Sequence, residues 1–315
     1  VKTVILDAKA LNPGDLSWDD FRTLGELDVY QRTDPQDVVK RAKCAEIVIT
    51  NKVVIGKNEM EQLPECKYIG ILATGYNVVD IEEASKRGIT VTNVPAYSTD
   101  SVAQLVFALL LENEHRVARH NELSHGAWEK HDMFCLYESP LFELSGKTFG
   151  IFGYGSIGTA VAKIANAFGM RVLCYSRTKK ADDTVTWVDK ETLFRESDYL
   201  SLHCPLTPLT DKLINNDTIA LMKKSAVIIN TTRGGTVDEQ AVASALSEGR
   251  IRAFLADVLS TEPPKPTNPL LKAPNCLITP HIAWATIEAR SRLMKEAFLN
   301  AQAYTEGKKR NVIEI

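Results

Sequence analysis

Short apolar runs alternate with longer polar stretches along this chain. In the first hundred residues the runs are Val4-Ile5-Leu6, Leu27-Asp28-Val29-Tyr30, Ile47-Val48-Ile49, Tyr68-Ile69-Gly70-Ile71 and Ile89-Thr90-Val91. Each has the length and apolar content of a buried strand. Residues 18–24, 37–42, 57–63 and 80–87 lie between them and read as helices. The alternation resumes at Lys147, with strands expected at 148–152, 171–175, 199–202, 226–229, 253–256 and 276–278. Strands alternating with helices predict open parallel α/β sheets, and about six strands is the count of two mononucleotide-binding halves.

Two stretches depart from the alternation. Residues 100–112, DSVAQLVFALLLE, open on Asp100 or Ser101 as a cap and are apolar on nearly every side. Such a helix belongs in a core or an interface. It reads as the bridge between two domains and as a candidate part of a subunit contact. Residues 120–144 are polar and aromatic without a clear period, which predicts a long excursion over the surface. The closing helix, 287–306, ends at Gly307, and Lys308-Lys309-Arg310 beyond it read as a solvated, dipole-compatible helix end.

Glycine-rich Gly153-Tyr154-Gly155-Ser156-Ile157-Gly158 follows one strand and precedes an apolar, helix-compatible stretch from Ile157 to Phe168. That context turns a weak motif into a dinucleotide-binding expectation. Gly153 permits the turn, Gly155 lets a pyrophosphate approach the backbone, and Gly158 lets the helix pack close to the strand. The helix amino terminus offers amides and positive dipole to the phosphates. An NAD site wants an acid roughly 20 residues further on, to hold the ribose 2′-hydroxyl. Here that position reads Tyr175-Ser176-Arg177-Thr178-Lys179-Lys180, with no acid before Asp182. Ser176 and Arg177 can donate to a 2′-phosphate, and the lysines add positive potential. NADP is therefore preferred over NAD as the cofactor.

Three reactive side chains stand just past strand-like runs in this same half: Arg233, Glu262 and His281. Ligands of open parallel sheets gather outside the carboxyl ends of the strands. A guanidinium holds a carboxylate by two parallel hydrogen bonds and stabilises charge growing on a neighbouring carbonyl. Histidine is the usual proton donor near neutral pH, and a carboxylate such as Glu262 beside it favours the imidazolium form. Asp257, at the end of its strand, is placed to accept from a nicotinamide amide. These parts suit hydride transfer to a small 2-keto acid. The other histidines, His115, His120, His125, His131 and His203, read as surface or satisfied core residues, and no metal site is expected.

Composition narrows the classes. A formal net charge of −3 gives no basic field for nucleic acid or a membrane surface. No apolar run approaches the ~20 residues of a membrane-spanning helix. The run Val1–Leu6 reads as a short strand rather than a signal peptide, so cytoplasm is the expected compartment. Six cysteines include no C-x-x-C pair, which leaves them as small buried hydrophobes of a reducing compartment.

Taken together, Gly153–Gly158, Asn230-Thr231-Thr232-Arg233-Gly234, Asp257-Val258-Leu259-Ser260-Thr261-Glu262-Pro263 and Pro280-His281-Ile282-Ala283-Trp284 resemble the D-isomer-specific 2-hydroxyacid dehydrogenases. The likeness covers essentially the whole chain. Leu72-Ala73-Thr74-Gly75-Tyr76-Asn77-Val78-Val79-Asp80 and the Trp284-Ala285-Thr286 junction are most similar to the glycerate dehydrogenase/hydroxypyruvate reductase branch. The resemblance implies a Rossmann-type doubly wound parallel sheet plus a second, flavodoxin-like α/β substrate domain. The dinucleotide-binding domain would span 100–284, and the substrate domain 1–99 with 285–315. It implies a homodimer, a site in the interdomain cleft, and Arg233, Glu262 and His281 as the catalytic trio. Gly155, Ser156, Ile157, Ser176, Cys204, Thr231, Thr232, Arg233, Asp257 and His281 would line the dinucleotide. Thr74, Gly75, Arg233, His281 and Trp284 would meet the substrate. Many NAD-using members carry Asp where this chain has Ser176. Two other readings share the fold: a dinucleotide-sensing corepressor or scaffold, and a formate- or phosphite-type dehydrogenase. Formate enzymes of this fold place Gln where Glu262 stands.

Overall fold

The computed structural model describes residues 1–314 and divides the chain into two compact units, one of residues 1–98 with 284 onward and one of residues 99–283. In the first, strands β1 (Lys2–Ile5), β2 (Glu26–Val29), β3 (Ile47–Thr50), β4 (Tyr68–Ile71) and β5 (Thr90–Thr92) form one parallel sheet in the order β2-β1-β3-β4-β5. This is the flavodoxin-like order. β3 and β4 are buried at every position, the mark of central parallel strands covered on both faces. The helices between strands are short: α1 (Asp19–Arg22), α2 (Val38–Ala42), α3 (Lys57–Met60) and α4 (Ile81–Lys86), the last capped by Asp80, which accepts from the Glu83 amide.

The second unit opens with α5 (Thr99–His115) and α6 (Val117–Ser124). Its elements then run β6 (Thr148–Phe152), α7 (Ser156–Ala167), β7 (Arg171–Tyr175), β8 (Thr186–Trp187), α8 (Lys190–Glu196), β9 (Tyr199–Leu202), α9 (Asn216–Leu221), β10 (Val227–Asn230), α10 (Glu239–Ser247), β11 (Ala253–Ala256) and β12 (Cys276–Ile278). All strands are parallel, in the order β12-β11-β10-β9-β6-β7-β8. Renumbered within the unit this is the doubly wound order 3-2-1-4-5-6 with one strand added. Apolar cores lie on both faces. In one of them the Phe107 ring stacks on Phe149 and Phe168. The far end of α5 is tied to the sheet by an ion pair: Arg252 donates to both oxygens of the buried Glu114, at 2.8 and 3.1 Å. The chain finishes in the first unit with α11 (Ile287–Thr305), whose Ala289, Leu293, Ala297 and Ala301 form a buried stripe.

Two expectations are corrected here. The second sheet has seven strands, because β8 is a two-residue strand, one of them threonine, too short to register as an apolar run. The 120–144 excursion is not wholly irregular: α6 enters it, followed by a single turn at Trp128–Lys130. No residue of α6 is buried, so no apolar stripe announced it. Ion pairs steady it instead, Arg119 donating to both oxygens of Glu138 at 2.7 and 2.9 Å.

Candidate active site

β6 lies between β7 and β9, where the strand order of the second unit reverses. Crevices at such points take ligands. The glycine loop begins there. Gly153 has φ +102°, and a Cβ on it would stand 2.6 Å from the His203 carbonyl oxygen. A Cβ on Gly158 would overlap the Gly153 carbonyl, which explains the close helix–strand packing. Gly155 faces open space, and no side chain caps the start of α7 at Ser156. The amides of Ser156, Ile157 and Gly158 thus present an anion-binding helix terminus.

The neighbouring strand ends add a row of polar groups. Phe152, Leu202 and Asn230 are in register, so Gly153, His203 and Thr231 are each one residue past the sheet. His203 Nδ1 and Thr231 Oγ1 are buried and have no hydrogen-bond partner among the described residues. Buried polar atoms without partners are uncommon and call for a ligand or water. Burial lowers the His203 imidazole to a pKa of about 3, so it stays neutral, with Nε2 2.9 Å from Ser201 Oγ. This donor set and the open glycine cradle fit a dinucleotide. His203 had read as a surface or satisfied core histidine, and it is neither. Its place one residue beyond an apolar run is the signal that singled out its neighbours. Cys204 follows, 7% exposed, its thiol raised to about 11 by burial. Half-buried Ser176 leaves β7 next to this row, and Arg177 beyond it is exposed.

Three loops carry the reactive side chains, and their strands are adjacent: Asn230 is in register with Ala256, and Ala256 with Ile278. Arg233 sits three residues past the first of these strands and His281 three past the last; their strand ends lie two spacings apart, about 10 Å. Asn230, fully buried, shapes the first loop. Its Oδ1 accepts from the Thr232 amide and hydroxyl, and its Nδ2 donates to the Arg233 carbonyl at 3.1 Å. Arg233 is left exposed, and no carboxylate pairs with it among the described residues. Gly234 presses on the Leu259 and Ser260 backbone so closely that any Cβ would overlap it. The Arg233 and Glu262 loops are therefore in direct contact.

Glu262 bridges to the third loop. Its Oε2 is 2.6 Å from His281 Nδ1, and its Oε1 accepts from the Leu259 amide at 3.0 Å. Because a carboxylate only accepts, Nδ1 carries the proton of this bond when Glu262 is ionised. Glu239 on α10 anchors the same loop, accepting from the Ser260 amide and hydroxyl and from Asn268 Nδ2. Asp257 holds the His281 loop. It is 1% exposed; Oδ1 accepts from Thr279 Oγ1 at 2.6 Å and the Ile282 amide at 2.8 Å, and Oδ2 accepts from the Ala283 amide at 2.8 Å. His281 between these donors has φ +55°, a left-handed conformation costly for a non-glycine residue, which the Asp257 bonds compensate.

The remaining sequence-assigned residues belong to the first unit. Thr74 and Gly75 follow β4, the Thr74 hydroxyl donates to the Val94 carbonyl at 3.0 Å, and neither amide makes a backbone hydrogen bond among the described residues. Trp284 packs against the core between that sheet and α11.

Residues 107–283 match the family described as D-isomer specific 2-hydroxyacid dehydrogenase, NAD binding domain. This chain belongs to that family. A hydroxypyruvate reductase of Blautia hydrogenotrophica is 45% identical over 320 residues, covering 99% of each chain. A glycerate dehydrogenase of Methylorubrum extorquens is 38% identical over 317 residues, again covering 99% of each. Among solved structures, an acyclic imino acid reductase in complex with NADPH and D-Arg has a TM-score of 0.87, 32% identity and full coverage of both chains. Within the family, the chain falls in the glycerate dehydrogenase/hydroxypyruvate reductase branch, and it is an oxidoreductase that uses a nicotinamide dinucleotide.

Proposed function

We propose that this D-2-hydroxyacid dehydrogenase reduces hydroxypyruvate and glyoxylate to D-glycerate and glycolate, reversibly, with NADPH preferred over NADH. The dinucleotide, when bound, supplies the hydride delivered to the carbonyl carbon. His281 delivers the matching proton to the carbonyl oxygen. With Nδ1 committed to Glu262, Nε2 is the nitrogen assigned to that transfer, and Glu262 fixes the ring's tautomer and orientation. Arg233 holds the substrate carboxylate by its planar fork and stabilises charge developing on the adjacent oxygen. Thr74, Gly75 and Trp284 are assigned to the substrate as well. The row from Gly153 to Thr231, with Ser156, Ile157, Ser176, Arg177, Cys204, Thr232 and Asp257, is assigned to the dinucleotide.

The observation that carries this reading is the 2.6 Å bond between Glu262 and His281 on a loop pressed against the one bearing Arg233. The test is a panel of small 2-keto acids assayed by nicotinamide absorbance, with NADPH and NADH separately. Turnover of hydroxypyruvate or glyoxylate, faster with NADPH, supports it. Tight cofactor binding without turnover of any 2-keto acid favours a dinucleotide sensor. Glu262 itself weighs against a formate-type enzyme.

The proposal includes a homodimer. Beyond α5, Phe134 is 86% exposed and Tyr137 66% exposed, with Met133 and Leu141 nearby, an apolar surface that a second copy would cover. Sedimentation velocity at two protein concentrations checks it. Cytoplasm remains the proposed compartment, and no helix among the described residues is long and apolar enough to cross a membrane.

A further inference from the structure

The segment after β7 carries the residues expected to choose between NADPH and NADH, and one of its side chains is tied back to the glycine loop. Tyr154, between Gly153 and Gly155, is 3% exposed and donates its hydroxyl to Asp182 Oδ2 at 2.5 Å. Asp182 Oδ1 accepts from the Thr184 amide at 2.9 Å and the Thr184 hydroxyl at 2.5 Å. The Tyr154 ring is fixed in turn, edge-on to Trp187 of β8 at 5.2 Å between centroids, with Lys180 Nζ 6.0 Å from its own centroid. The bonds to Thr184 and Tyr154 hold the Asp182 carboxyl down to a pKa of about 2, so it is a full negative charge at working pH.

Asp182 is also the first acid in the chain after the glycine loop. The four residues Arg177, Thr178, Lys179 and Lys180 just before it are exposed and carry three positive charges. A carboxylate free to swing toward the ribose would accept its 2′-hydroxyl in NADH and repel the 2′-phosphate of NADPH. With both oxygens engaged by Tyr154 and Thr184, that charge is committed elsewhere.

We propose that Tyr154 is a specificity-determining residue: its hydrogen bond turns the Asp182 carboxylate toward the glycine loop, so that Asp182 does not stand against the ribose and the three cations of Arg177–Lys180 outweigh the exposed Asp183, favouring NADPH. This rests on the NADPH preference proposed above. It places discrimination partly inside the phosphate loop itself, in a side chain that touches the loop following β7.

The test is calorimetric titration of the full-length protein with NADP⁺ and NAD⁺ separately, at one fixed ionic strength. Tyr154→Phe should weaken NADP⁺ binding about fivefold, the loss expected when one carboxylate faces a phosphate within a Debye length. NAD⁺ affinity should hold or rise. Adding Asp182→Ala to Tyr154→Phe should restore NADP⁺ affinity, because the freed charge is gone; a merely structural role of the tyrosine would not be rescued. If Tyr154→Phe does not fold, Asp182→Ala alone serves: NADP⁺ affinity at or above the wild-type value supports the proposal, and a loss overturns it. Equal weakening of both dinucleotides, or an unrescued double variant, also overturns it. An unchanged NADP⁺/NAD⁺ ratio in Tyr154→Phe overturns the tyrosine's role alone. A wild-type protein without preference overturns that role and the cofactor reading together.

Discussion

Replacing Asp257 with Asn tests how the proposed acid–base is held in place. The carboxylate accepts three hydrogen bonds from the loop bearing His281, two of them from the consecutive amides of Ile282 and Ala283. An asparagine has a single acceptor oxygen. Whichever way the amide turns, its NH₂ group faces either the Ala283 amide or the Thr279–Ile282 pair, so at least one donor loses its partner in a buried place. A hydrogen bond to a charged group contributes roughly 1.5–3 kcal/mol, and a donor left unsatisfied adds to the loss, so the variant should be destabilised by about 2–4 kcal/mol. For a unit of this size that lowers Tm by roughly 4–16 °C. The left-handed His281 also loses the bonds that fix it. A displacement of its ring by about 1 Å would reduce kcat by about a hundredfold. Thermal melts of the free protein and steady-state kinetics with NADPH and hydroxypyruvate read both effects. A Tm within about 1 °C of wild type together with unchanged kcat would refute the argument that these bonds position the histidine.

Other substitutions probe the remaining parts. Arg233→Lys should lower kcat/KM for the keto acid by about a hundredfold, since an ammonium cannot reproduce the planar fork; wild-type kinetics would remove Arg233 as the carboxylate clamp. Ser176→Asp should move the NADPH/NADH ratio of kcat/KM toward NADH by about tenfold; an unaltered ratio would undo the cofactor preference. His203 predicts a pH dependence of stability. Its folded pKa, about 3, lies below the ordinary 6.5, so its neutral form costs nothing above pH 6.5. Below that the unfolded chain takes up a proton that the folded protein refuses, and stability falls with a slope approaching 1.4 kcal/mol per pH unit toward about pH 3. Denaturant melts of the wild type and His203→Gln across pH 4–7 should diverge toward low pH, and parallel curves would contradict the buried neutral imidazole.

Much of this arrangement was legible from residue order. Central strands such as Ile47–Thr50 and Val227–Asn230 are continuous apolar runs because both faces are covered, and that signal survives in a single sequence. β8 and α6 were not legible for the converse reason: one is too short and the other has no buried face. Reactive residues past strand ends stood out because parallel sheets gather ligands there. Apart from the pairing of Glu262 with His281, what side chains do for one another did not. Asp257 read as a group for the nicotinamide; that its carboxylate also carries the His281 loop is a role created by a left-handed residue that no propensity announces. Tyr154 drew no role from the glycine motif, because its bond to Asp182 spans 28 positions. Gly234 entered as part of the motif around Arg233, while its lack of a side chain is what lets the Arg233 and Glu262 loops touch.

Carbonyl reduction depends, in the proposed chemistry, on the proton supplied by His281 held by Glu262. Single-turnover oxidation of bound NADPH by saturating hydroxypyruvate, compared between wild type and His281→Asn, tests it most directly. The variant should be about a thousandfold slower, with little change in NADPH affinity. A variant that turns over at the wild-type rate would contradict it.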